Sequence, residues 1–441
     1  KWVEGWNMGT PALEGSYDFF EEWGEIDLAD MVRRDRNHLS IFAWSIGNEV
    51  DYPNNLYSHP VLDGGPESGF TQKRSGGYKK DAPDANRLGD IAVKLAAVVR
   101  KHDPSLPVAA GLAGVAMFNE TAYRGALDIV GYNYTEDRYH RDHEKYPERV
   151  IYGSENRHDP AAWRAVADNE YIFGQFLWTS IDYLGESGRW PSRGFYSGLL
   201  DLKGELKPRG YFRKSLWNEK PMAYLGTCPI KQPDGKTDDV LSQTELKKPM
   251  KLSIDAWSSW WYEPGQLVRV VCYTNAAQAQ LVLNGKKIGE SKPYNTETGV
   301  IYWAVPFEPG VLEVMALTEE GATIVQYAVE TAGKPAAINI LQTDEATHDG
   351  ANVVQINLRI VDENEVVVPD ADNEIQCELV GLGILLGLEA ENNRDMGDYT
   401  ENKQPAFRGM LTAYVKRTHT TGTVSIRFSA EGLKPTHIKL K

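Results

Sequence analysis

Phe42-Ala-Trp-Ser-Ile-Gly-Asn-Glu49 is a run of apolar and small residues that closes on an amide and a carboxylate. A second run further along the chain, Val150-Ile-Tyr-Gly-Ser-Glu155, has the same grammar. Short apolar runs of this kind read as β-strands. If both belong to one parallel sheet, they deliver Glu49 and Glu155 to the same end of it, where such sheets build their sites. Taken singly, each glutamate reads equally well as a surface residue opening a loop.

The surroundings support a parallel sheet. Helix and strand patterns alternate over the first half of the chain, as βα units require. Leu28, Met31 and Val32 share one helical face, and Leu88, Ile91, Leu95 and Val98 share another, with Asp84 as its expected N-cap. Asp159-Pro160 reads as an N-cap followed by proline at the first helical position, opening a helix to Ala167. Strands are expected at Ile41–Ile46, Pro107–Gly111, Asp128–Tyr134, Val150–Ser154 and Ile172–Trp178. They are short and apolar, as strands buried on both faces are.

After Trp217 the pattern becomes β-rich. Leu267–Tyr273 is β-branched, and Leu281–Ile288 reads as a hairpin turning on Asn284-Gly285. Gly333-Lys-Pro335 punctuates two strand series. The expected domains are therefore 1–218, α/β, then 219–334 and 335–441, two all-β sandwiches. Gly381, Gly383 and Gly387 lack the spacing and context of a dinucleotide fingerprint and read as β turns. Trp257, Trp260 and Trp261 read as core and interface packing, with a carbohydrate platform as the alternative.

Composition narrows the function classes. The 441 residues carry a net charge of −15, which argues against nucleic acid as a partner. No apolar run approaches the ~20 residues of a membrane span. The three cysteines, Cys228, Cys272 and Cys377, are scattered and odd in number, with neither disulfide nor metal-ligand spacing. No cofactor is called for, although a structural or site cation stays open, as does self-association.

Among neighbouring residues, the Tyr134 hydroxyl could donate to Glu155, or Tyr134 could be a rim residue. His158 could hold a sugar hydroxyl or be solvated, and Trp178 could floor a pocket or fill a core. Asp182–Glu186 reads as a solvated loop, with the rim of the site or a hydroxyl contact as the alternative. Two carboxylates facing one site suit glycoside hydrolysis, in which one protonates the leaving oxygen and the other attacks the anomeric carbon.

Arg34-Asp-Arg-Asn-His-Leu-Ser-Ile-Phe-Ala-Trp-Ser-Ile-Gly-Asn-Glu49 resembles the acid/base segment of glycoside hydrolase family 2, and Ile151-Tyr-Gly-Ser-Glu155 resembles its nucleophile segment. Gly174–Glu186 and Trp190-Pro-Ser-Arg193 look like the last barrel strand and loop of its β-galactosidase branch. The resemblance implies a partial (β/α)8 TIM barrel, strands 4 to 8, followed by two immunoglobulin-like sandwiches. It implies Glu49 as acid/base, Glu155 as nucleophile, Asn48 on the substrate 2-hydroxyl, and Tyr134 beside the nucleophile. His158 and Trp178 match sugar-contacting positions. The implied partner is an oligo- or polysaccharide. A barrel needs eight strands, so a missing N-terminal part of the same protein is expected. Between Trp190 and Pro208 there is no Asn-x-Lys clamp for a glucuronide carboxylate, which leaves galactoside as the expected sugar. Mannoside, glucuronide and a non-catalytic carbohydrate-binding role are the alternatives.

Overall fold

A computed structural model describes residues 16–50, 58–62, 84–187, 190–230, 254–346, 352–419 and 422–440. The chain divides into two compact units, Lys1–Trp178 and Thr179–Lys441.

The first unit is an α/β layer. Helix α1 (Phe20–Asp35) precedes β1 (Trp44–Asn48), and α2 (Asn86–His102) precedes β2 (Val108–Leu112). Then come β3 (Ile129–Asn133), β4 (Val150–Asn156), α3 (Pro160–Ala167) and β5 (Ile172–Leu177). The strands form one five-stranded sheet in sequence order, parallel at every pairing. All five expected strands exist. The first begins later than Ile41, because Ile41 N–H closes a turn on the His38 carbonyl and the ladder starts where Trp44 N–H meets the Pro107 carbonyl.

The helices form for local reasons. Asp159 caps α3 by accepting from Ala162 N–H at 3.0 Å, with Pro160 at the first position. Asp84 accepts from Asn86 N–H at 3.0 Å, but the N-cap position falls on Ala85, one residue later than expected. Leu88, Ala92, Leu95, Ala96 and Val99 of α2 are buried against Trp44, Ile46, Val108 and Ala110. Strand β2 is buried along its whole length. Strands β1 and β5 are not: Phe42 before β1, and Phe173 and Phe176 on β5, are about half exposed, at 55%, 49% and 52%. Tyr152 contacts both β5 phenylalanines edge-on or tilted, and Phe42 meets Phe173. The expectation of burial on both faces therefore fails at these strands, because no described residue covers that aromatic face.

The second unit opens with a segment containing the paired short strands β6 (Tyr183–Leu184) and β7 (Gly194–Phe195), a cis Trp190-Pro191 peptide and helix α4 (Pro208–Trp217). Two pairs of antiparallel sheets follow. In the first pair, β8 (Ala223–Pro229), β9 (Leu267–Thr274) and β13 (Ile301–Pro306) form one sheet. The other holds β10 (Gln278–Leu283), β11 (Lys286–Lys287), β12 (Lys292–Pro293), β14 (Val311–Leu317) and β15 (Thr323–Glu330). Asn284 and Gly285 both have positive φ, as a type I′ hairpin demands. The second pair joins β16 (Ala337–Ala346), β17 (Val353–Val361), β21 (Met410–Arg417) and β19 (Gly383–Glu389). Its partner sheet holds β20 (Lys403–Pro405), β18 (Glu374–Gly381), β22 (Val424–Ser429) and β23 (Thr436–Leu440).

Gly387 lies inside β19 at a register shift, so the glycine triplet is a turn followed by a strand. Trp260 is core, donating to the Glu308 carbonyl at 2.9 Å; Trp257 lies under the Arg408 guanidinium at 3.7 Å; Trp261 is 46% exposed. Asp182 is no solvated loop residue. It is buried, takes both oxygens to Lys207 Nζ at 2.9 and 2.8 Å, and accepts from Gly198 N–H. A carboxylate this deeply buried is stable as an anion only beside a cation and hydrogen-bond donors, which Lys207 and Gly198 supply.

The segment 179–210 is also tied to the second sandwich. Arg193 donates to both oxygens of Glu389, and Arg359 to both of Glu205. The Tyr196 hydroxyl donates to the Glu391 carbonyl at 2.6 Å and accepts from Asn393 N–H. The three cysteines form no disulfide with one another, and Cys272 and Cys377 are buried.

Candidate active site

The parallel sheet departs from regular register between Ile151 and Gly153 and again near its carboxyl ends. Register shifts occur between Ser45 and Asn48, Gly131 and Asn133, and Gly153 and Asn156. Such irregularities re-aim side chains, and they recur beside functional sites. Two residues at these ends, Glu49 and Tyr134, hold left-handed backbone conformations, with φ of 47° and 53°. That conformation is costly for a side-chain-bearing residue and persists only where surrounding bonds enforce it. Here Glu49 N–H donates to the Gly111 carbonyl at 2.9 Å, and Tyr134 N–H donates to the Glu155 carbonyl at 2.8 Å.

The side chains converge. Asn48 Nδ2 donates to Glu155 Oε1 at 2.8 Å. Asn133 Nδ2 reaches Asn48 Oδ1 at 3.1 Å and Glu49 Oε1 at 3.3 Å. Asn133 in turn accepts from Ser154 Oγ at 2.5 Å. The Tyr134 hydroxyl is hydrogen-bonded to Glu155, and its proton is held well above the usual phenol range by burial and then by the negative Glu155. Tyr134 is therefore a donor to Glu155 and not a second anion. Glu155 is 9% exposed, and Asn133 1%.

This network needs room. A Cβ at Gly111 would stand 2.3 Å from Asn48 Oδ1 and 3.1 Å from Asn133 Oδ1. Glycine on β2, between the strands that carry Asn48 and Asn133, lets the two amides meet across it.

The six residues expected from sequence divide into two groups. Asn48, Glu49, Tyr134 and Glu155 share the network. His158 and Trp178 form a neighbouring contact, His158 Nε2 lying 3.0 Å from the Trp178 carbonyl, and Trp178 is 36% exposed. Sequence reading missed Asn133 and Ser154. It also missed Arg157, which donates to the Tyr134 carbonyl at 2.7 Å and pairs with Glu136. Asn133 precedes Tyr134 on an apolar strand, and a buried amide there was a usable signal. Among the described residues, no group of three or more His, Cys, Asp or Glu side chains is placed to hold a metal ion.

Comparison with known proteins gives two family matches. Residues 340–439 match the glycoside hydrolase family 2 C-terminal domain 5, and residues 261–325 match a domain of unknown function. The chain is 28% identical to the β-galactosidase BoGH2A of Bacteroides ovatus, over 96% of this chain and 52% of that protein. It is 22% identical to a β-glucuronidase of Formosa agariphila, over 93% of this chain and 38% of that one. Its fold is similar to that of a glycosyl hydrolase family 2 member from Bacteroides cellulosilyticus, with a TM-score of 0.78 and 24% identity, over 98% of this chain and 53% of that chain. The chain thus spans about half the length, or less, of these proteins.

Proposed function

Since the chain is kin to glycoside hydrolase family 2 along nearly its whole length, we propose that it carries the catalytic pair of a retaining, exo-acting β-glycosidase that removes terminal β-galactosides by double displacement. The observation that carries this reading is the network in which Asn48 and Tyr134 hydrogen-bond Glu155 directly and Asn133 bridges Asn48 to Glu49. Glu155, ionised, attacks the anomeric carbon while Glu49 gives its proton to the leaving oxygen. The glycosyl-enzyme removes the negative charge of Glu155, and Glu49 then takes a proton from the incoming water. Asn48, already a donor to Glu155, is placed to grip the 2-hydroxyl of the bound sugar. Tyr134 donates to Glu155 and orients it. His158 and Trp178 contact the sugar in this reading. Retention requires the two carboxyls about 5–5.5 Å apart in the competent enzyme.

In the same reading the five-stranded sheet is strands 4 to 8 of a (β/α)8 barrel, and the two all-β domains are immunoglobulin-like. The chain spans about half the length of its relatives, so this sheet stands for part of their barrel. The exposed Phe42, Phe173 and Phe176 support this, since half-exposed aromatics facing one side of a sheet are what a barrel interior presents when strands are lacking.

Galactoside is favoured over glucuronide by the lack of an Asn-x-Lys motif between Trp190 and Pro208 and by the likeness to a β-galactosidase over 96% of the chain. A glucuronide remains the second reading, because relatives include a β-glucuronidase. A panel of aryl β-glycosides on the full-length protein, with Glu155→Gln as control, tests both. Turnover of the galactoside lost in the variant supports the proposal. Turnover of the glucuronide alone would replace it with the second reading.

A further inference from the structure

Arg157 and Glu136 lie outside the two carboxylates yet are bound to the same backbone. Arg157 N–H donates to Glu136 Oε1 at 3.0 Å, and its guanidinium pairs with Glu136 Oε2. The same guanidinium donates to the Tyr134 carbonyl at 2.7 Å and lies over the Tyr134 ring, 5.5 Å from its centre. Glu136 is nearly buried, its side chain 8% exposed. Four contacts therefore close a loop between the residues after β3 and those after β4, with Tyr134 inside it.

Tyr134 is the residue that requires such a clamp. Its left-handed backbone costs on the order of 1–3 kcal/mol and would relax without restraint. Relaxation would swing the ring, and the hydroxyl would leave Glu155. The Arg157 side chain reaches carbonyl and ring together, which a lysine cannot do with one ammonium.

We propose that Arg157, held by Glu136, is a positioning residue for the reaction: it fixes Tyr134 in its left-handed conformation and so aims the tyrosine hydroxyl at Glu155. This rests on the reading of Glu155 as nucleophile. Arg157 acts through Tyr134 and makes no demand on the sugar. Its loss therefore lowers turnover and leaves substrate binding nearly alone.

The test is a double-mutant cycle in the full-length protein, with an aryl β-galactoside as probe. Arg157→Met is expected to lower kcat roughly 10–100-fold, the scale of misplacing a reacting group by about an ångström. KM should stay within about threefold of the parent value. Arg157→Lys should recover part of the loss, and it decides the matter if Arg157→Met does not fold. In a Tyr134→Phe background either Arg157 substitution should cost less than about threefold more, since the group it aims is already gone. An equal loss in both backgrounds, or full activity of both Arg157 variants beside a crippled Tyr134→Phe, would overturn the inference while leaving Glu155 in its role. A Tyr134→Phe or Glu155→Gln enzyme with unaltered turnover would instead overturn the reading of the site, and this inference with it.

Discussion

Replacing Glu391 with glutamine should stabilise the second unit at alkaline pH and not at acid pH. Glu391 is 2% exposed, holds φ of 70°, and its Oε2 has no hydrogen-bond partner among the described residues. The nearest cation, Lys203 Nζ, stands 3.9 Å away and is already in contact with Asp201. Burial therefore outweighs the Lys203 attraction and lifts the carboxyl from 4.5 to about 7. The native state then holds a proton that the unfolded chain has lost between those two values. Stability falls as pH rises through that window, by about 3 kcal/mol at most. Glutamine removes the penalty but also the attraction to Lys203. The net gain at pH 8 is about 1–2 kcal/mol, or roughly 2–6 °C in Tm for a unit of this size. Near pH 5 the parent carboxyl is neutral, and the gain should shrink towards zero. Melting curves of parent and Glu391→Gln across this range, followed by tryptophan fluorescence, measure it. A variant less stable than the parent at pH 8, or one whose advantage does not change with pH, would refute the reasoning.

The other predictions concern the buried ion pair and the polar network. Lys207→Met leaves the Asp182 carboxylate buried with Gly198 N–H as a remaining donor; it should cost about 3–5 kcal/mol in urea unfolding, and an unshifted midpoint would count against the pair's burial. Gly111→Ala puts a methyl 2.3 Å from Asn48 Oδ1, so Asn48 must leave Glu155; kcat on an aryl galactoside should fall more than about tenfold, and unchanged kcat would show that the Asn48 contact is dispensable. Asp159→Ala removes the cap on α3 and should cost about 1 kcal/mol by thermal melting, with no effect expected on KM.

Much of this was legible because local rules and the fold agree. Asp159-Pro160 announces its helix, and Asn284-Gly285 its hairpin, through backbone preferences that owe nothing to distant residues. The five parallel strands were readable as short apolar runs, and Asn48, Glu49, Tyr134 and Glu155 stand at or just beyond the ends of three of them. What escaped was set by partners far away in sequence. Strand β8 shows neither alternation nor a β-branched run and exists because β9 offers it a continuous ladder from Thr274 to Val268. Asp182 looked like loop because its cation, Lys207, comes from the start of α4. Arg157 looked like one more polar residue after a glutamate, and only the folded chain brings it over Tyr134. The register shifts that turn these side chains inward leave no mark on hydrophobic periodicity.

The central claim is that Glu155 attacks the sugar and Glu49 serves it with a proton. Incubating the full-length protein with an activated 2-deoxy-2-fluoro-β-galactoside, then digesting it and sequencing the labelled peptide by mass spectrometry, tests this directly. One fluorosugar per chain is expected, attached to the Glu155 side chain. A label on any other residue, or an active enzyme that takes no label and releases sugar of inverted configuration, would contradict it.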